Sequence, residues 1–125
     1  MDENKIGTAV IKAAMAVHSA LWPGLLESAY EHCLSYELER ARLAVRRQFL
    51  LPIRYQDLAI DAGYRVDILV EGEVVLELKT VEKVLPVHSA QVLSYLRLGG
   101  YKLGYLLNIH IEHMRGGIKR LVNAL

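Results

Sequence analysis

Glu77 and Lys79 stand two residues apart inside the apolar run "VVLELKTVEK", residues 74–83. On a strand, side chains alternate and the backbone rises about 3.3 Å per residue, so both charges share one face with α-carbons about 6.6 Å apart. Val75 joins them there, while Leu76 and Leu78 take the opposite face. Just upstream, "GYRVDILV" (63–70) reads as another strand, separated from this one by "EGE". A three-residue loop pairs Val70 with Val74 and sets Asp67 opposite Glu77, with β-carbons about 5 Å apart. A two-residue loop would set Asp67 opposite Leu76 and turn it to the other face. The parity of that turn decides whether a carboxylate pair exists.

Two facing carboxylates repel each other. Three arrangements relieve the repulsion: Lys79 neutralises the pair, one carboxyl keeps a proton, or a divalent cation lies between them. Mg2+ suits the third, because it takes oxygen ligands, usually one or two carboxylates with waters and substrate phosphates completing the shell. Glu-x-Lys also occurs as a plain surface ion pair that contributes little. Glu27, in "GLLESAY", falls one turn into a helical stretch, where it either favours the helix N-terminus or reaches towards the sheet. His88, Gln91 and Tyr95 are spaced three and four apart and share one face of a later helix, which beside a sheet more often meets solvent.

The elements that must position these residues follow from periodicity. Ile6, Ala9, Val10, Ala13, Ala14, Val17, Ala20 and Leu21 recur at three- and four-residue steps and predict a helix over about 5–21, ended by "WPG". A second helix is expected over about 25–41, with Leu26, Tyr30, Cys33, Leu34 and Leu38 on its apolar side. "VRRQFLLPIRYQ" then reads as an extended run in which Pro52 implies an edge position or a bend. Strands at 63–70 and 74–81 complete an antiparallel meander. "VHSAQVLSYLRLGG" (87–100) is helical up to its glycine pair, "YKLGYLLNIHI" (101–111) is a buried strand, and "IKRLVNAL" is expected to be a short closing helix. The order is α-α-β-β-β-α-β-α, and the fold class is α/β with one domain over residues 1–125.

Composition narrows the function classes. Hydrophobic residues make up 53% of the 125, enough for a packed core. The first residues lack a secretory pattern, so a cytoplasmic location is expected. No apolar run approaches the roughly 20 residues that would span a bilayer. Fifteen Lys and Arg against fourteen Asp and Glu give a net charge of +1, which neither marks nor forbids a nucleic-acid partner. Cations concentrate in "ERARLAVRR" and "RGGIKR", both readable as ordinary surface. The single cysteine, Cys33, reads as a small core residue.

"GLLESAY", with Gly24, Glu27 and Tyr30 in register, resembles the motif of the GxxExxY proteins. The likeness extends through "GYRVDILV", "ELKTVEKVLPVHSAQVLSYL", "LLN" and "GIKR", from about residue 6 to 123. That family is similar to the PD-(D/E)xK nucleases, whose restriction-endonuclease-like core is an α-β-β-β-α-β unit; here an extra N-terminal helix precedes it. By this resemblance Asp67 matches the Asp of the second core strand, although Val66 stands where the motif's Pro would be. Glu77 and Lys79 match the (D/E)xK pair, Glu27 the acidic residue of the first core helix, and Gln91 with Tyr95 a Gln-xxx-Tyr motif.

The resemblance implies a metal-dependent nuclease that cleaves phosphodiester bonds of DNA or another nucleic acid. Asp67, Glu77 and the Leu78 carbonyl would hold Mg2+ or Mn2+, with Glu27 serving a second metal directly or through water. Lys79 would orient the attacking water or stabilise developing charge, and Gln91, Tyr95 and His88 would contact substrate or support the site. His18 and Lys83 rank lower, with structural or surface roles more usual for them. A domain of this size has little surface to grip a duplex, so a homodimer or partner protein is expected. The alternative is a non-catalytic module on the same fold that binds nucleic acid or protein.

Overall fold

The computed structural model describes residues 2–21 and 26–125. Gly24, the first residue of the "GLLESAY" motif, lies outside the described residues. The elements run α1 (Glu3–Leu21), α2 (Glu27–Arg40), β1 (Val45–Tyr55), β2 (Leu58–Val70), β3 (Val74–Lys79), α3 (Pro86–Gly99), β4 (Leu103–Asn108), a 3-10 turn (Met114–Gly117) and β5 (Ile118–Val122). The five strands form one sheet in the order β1-β2-β3-β4-β5. Among the described residues only β3 and β4 pair in parallel, and α3 is the crossover between them. The α-β-β-β-α-β core is present with the extra helix ahead of it.

Helices cover both faces of the sheet. Ile6, Val10, Ala14 and Val17 of α1 and Tyr30, Leu34 and Leu38 of α2 pack with Val74, Leu76 and Leu78 of β3. On the other face, Val92, Tyr95 and Leu96 of α3 pack with Val75 and Leu106. The parallel strands are therefore buried on both sides, which explains why β4 is apolar along nearly its whole length. Tyr30 ties the helical hairpin together by donating its hydroxyl to the Ala14 carbonyl at 2.7 Å. Among the described residues no helix is long and apolar enough to cross a membrane.

The "EGE" loop has three residues, with Val70 paired to Val74, Leu69 to Val75 and Ile68 to Leu76. Its Glu71 and Gly72 both have positive φ, the geometry of a tight hairpin, and the Glu73 N–H closes the turn onto the Val70 carbonyl. β1 lies at the sheet edge, and its register shifts between Leu51 and Ile53, so Pro52 brings both the edge position and the irregularity. β2 begins at Leu58, earlier than periodicity suggests, because residues 58–60 pair with the far end of β1.

Two expectations fail for identifiable reasons. The closing segment is not a helix: Ile118–Val122 forms β5, antiparallel to β4. Eight residues are too few for a stable isolated helix, whereas the open edge of a buried strand offers a full row of hydrogen-bond partners. Leu26, assigned to the apolar side of the second helix, is 74% exposed. It is the N-cap of α2 and precedes the first turn, so helical spacing does not govern its direction.

Candidate active site

The β2–β3 ladder stops at Ile68 and Leu76, and continuing its register sets Asp67 across from Glu77. Side chains take over from the backbone there. Glu77 Oε1 accepts the Asp67 N–H at 2.9 Å, and Asp67 Oδ2 accepts the Leu78 N–H at 2.8 Å. The two strands are thus joined by carboxylates where they part, and each acid spends one oxygen on a backbone donor.

Burial makes this pair electrostatically costly. Glu77 is only 4% exposed. Burial, and then repulsion from Asp67, push its carboxyl up to about 8; the Asp67 N–H and Lys79 oppose the shift without cancelling it. Asp67 is also raised, first by burial, with the Leu78 N–H acting against it. Lys79, half-buried at the end of β3, stabilises the charged forms of Glu27, Asp67 and Glu77.

Glu27 opens α2 as its first residue rather than sitting one turn inside it. Its Oε2 accepts the Thr80 hydroxyl at 3.4 Å, a long contact that links the helix to the residue after Lys79. Burial and the Asp67 charge raise its carboxyl. Glu27 thus serves the helix N-terminus and the sheet together.

The Gln91–Tyr95 face does not meet solvent as a polar helix face usually would. Tyr95 is 2% exposed, packs 5.0 Å from the Tyr64 ring, and accepts the Gln91 amide on its hydroxyl at 2.8 Å. Burial, with the Glu77 charge next, pushes its phenol up to about 12. Tyr95 therefore stays a neutral donor beside the carboxylates. His88 acts locally, its Nδ1 accepting the Leu85 N–H at 3.0 Å and capping α3. His18 is buried and donates Nε2–H to the Ile111 carbonyl, a structural tie between α1 and the loop after β4. Lys83 is exposed.

Four residues not singled out by sequence reasoning belong to this region. Glu31, one turn after Glu27, is a 5% exposed carboxylate. Its Oε2 takes Arg47 Nε and Nη2 at 2.9 and 2.7 Å, and its Oε1 takes the Gln48 amide at 2.7 Å. The (i, i+4) spacing from Glu27 was the available signal. Asn108, at the end of β4, binds both the N–H and the carbonyl of Val81 and also accepts the His110 N–H. It clamps the segment that leaves β3.

A family model described as the PD-(D/E)XK nuclease superfamily matches residues 4–121. The chain belongs to that superfamily. No curated protein and no solved structure matches the chain significantly. PD-(D/E)XK nucleases generally use divalent metal ions, and the donor set can be tested for fit. Among the described residues no group of three or more His, Cys, Asp or Glu side chains forms a ready-made cage. Mg2+ does not need one, since it commonly takes one or two carboxylates and keeps waters and phosphate oxygens for the remaining positions. An acidic pair with Glu77 buried, Asp67 half-buried and lone pairs to spare fits that pattern.

Proposed function

We propose that this PD-(D/E)XK protein is a metal-dependent nuclease that hydrolyses phosphodiester bonds of DNA or another nucleic acid. The observation that carries the reading is the pairing of half-buried Asp67 with buried Glu77, cross-bonded between strands and short of positive charge, with Lys79 beside it. Mg2+ or Mn2+, held by Asp67, Glu77 and the Leu78 carbonyl, would polarise the scissile phosphate and lower the pKa of a bound water.

The chain's own residues do the rest. Asp67 and Glu77 are locked in orientation by the backbone donors they accept, so they need not reorganise when a substrate arrives. Lys79 orients the attacking water or stabilises charge developing on the phosphate. Glu27, pulled towards the sheet by Thr80, serves a second cation directly or through water. Gln91 positions the phosphate backbone, with Tyr95 holding it in place. His88 contributes from the α3 terminus, where Nε2 is the ring nitrogen left over from capping. A homodimer or partner protein would enlarge the binding surface, and closer kinship to the GxxExxY proteins is part of this reading.

Thermal melting with and without millimolar Mg2+ or Mn2+, paired with cleavage assays on single-stranded, duplex and branched DNA and on RNA, tests it. A ligand bound only by the folded state must raise the melting temperature. A metal-dependent rise with cleavage of at least one substrate is expected. No rise and no cleavage would overturn the reading in favour of a binding module.

A further inference from the structure

Gln48 has φ +51, in the left-handed region, in the middle of a strand. Arg47 pairs with Ile68 and Phe49 with Val66, so Gln48 stands directly across from Asp67. Gln48, Asp67 and Glu77 therefore form one row across three strands. Glutamine rarely adopts this backbone conformation, and such strain persists only where surrounding contacts enforce it.

Those contacts are on α2 and β1. The Glu31 carboxylate is fully committed, one oxygen to two nitrogens of Arg47 and the other to the Gln48 amide nitrogen. That bond fixes which end of the amide is the donor and where it lies. The row sets the same side chain across from Asp67, whose ionised form it favours while the Glu31 charge acts against it. One neutral amide thus lies between two carboxylates, bonded to the first and facing the second.

We infer that Gln48 is a positioning residue: an amide pinned by Glu31 and Arg47 and aimed by left-handed backbone, it holds the Asp67 carboxylate in its working orientation. The role of Asp67 as a metal ligand rests on the nuclease reading, whereas the hold of Gln48 on Asp67 does not. Gln48 would couple the second helix to the site through geometry alone, without touching substrate.

The test uses Gln48→Gly, which suits a positive φ and removes the amide, and Gln48→Asn, which tolerates that φ but is one carbon too short to span both acids. The reporter is hydrogen exchange at the Leu78 N–H, which is held by the Asp67 side chain. Both variants are expected to speed Leu78 exchange at least tenfold relative to Leu76, beyond any change that the loss of the Glu31 bond makes in global stability. They should also weaken Mn2+ binding by about 10- to 100-fold, the usual effect of losing a ligand's supporting partner. Unchanged Leu78 exchange in both folded variants overturns the role of Gln48, as does Mn2+ affinity within twofold of wild type where wild type binds. A wild type that binds no Mn2+ while Leu78 still responds overturns the nuclease reading and leaves the hold of Gln48 on Asp67 standing.

Discussion

Asp67 and Glu77 each reach across the gap between β2 and β3 to the opposite strand, the first accepting the Leu78 N–H and the second the Asp67 N–H. Two acids that repel are thereby held together by the backbone. The metal-free protein carries this tension, and its chemistry can be probed through it.

The first consequence concerns pH. The Glu77 carboxyl titrates near 4.5 unfolded and is raised to about 8 in the fold. The folded state binds the proton more tightly, so the stability from this group is fully present below about pH 4.5 and is lost as pH rises through about 8. Melting of metal-free protein between pH 5 and 9 should show a falling temperature, with Asp67 and Glu27 acting in the same direction. Glu77→Gln should flatten most of that slope, and an equally steep slope in the variant would contradict the assignment.

Asp67→Asn removes a charge and retains an oxygen for the Leu78 N–H. Without metal, the variant should melt at or above the wild-type temperature, because the repulsion on Glu77 is gone. With metal the order should reverse. A ligand at one hundred times its Kd stabilises by about 2.7 kcal/mol, roughly 10 °C for a domain of this size. Wild type should gain a shift of that order, and the variant should gain little.

Lys79→Ala separates binding from chemistry. The variant should still respond to Mn2+ in melting experiments, since the carboxylates remain. Its cleavage rate should fall by about 100-fold or more, the usual loss when a group stabilising developing charge is removed. Single-turnover kinetics would make the comparison, and an unchanged rate would remove Lys79 from the mechanism.

Asn108→Ala tests the clamp behind the site. Three hydrogen bonds disappear, two of them to Val81, and the freed backbone groups lie partly buried. A loss of about 2–4 kcal/mol in urea unfolding is expected. Hydrogen exchange should rise first over residues 80–84, next to Lys79.

Much of the site was legible beforehand because strand periodicity and turn length are local properties. Glu77 and Lys79 share a face by alternation alone, and the odd length of "EGE" predicts Asp67 opposite Glu77. The helical hairpin, the α3 stop at Gly100 and the bend at Pro52 follow from equally local signals. The closing segment departs from its expected helix for the opposite reason. "IKRLVNAL" carries no decisive period, and its strand form comes from the open edge of β4, a partner remote in the chain.

By itself the sequence put Glu77 and Lys79 on one face through a period of two, and made Asp67 their partner on condition that "EGE" is a three-residue turn, a condition the Val70–Val74 pairing meets. Only the tertiary structure decided how deeply Glu77 is buried, and hence how far its acidity shifts, because desolvation depends on the helices packed over both faces of the sheet. The same packing turned Tyr95 inward and brought Glu31 and Gln48 up to Asp67, with Arg47 paired to Glu31. Glu31 and Gln48 are seventeen positions apart, and no local pattern links a helix to a strand edge at that distance.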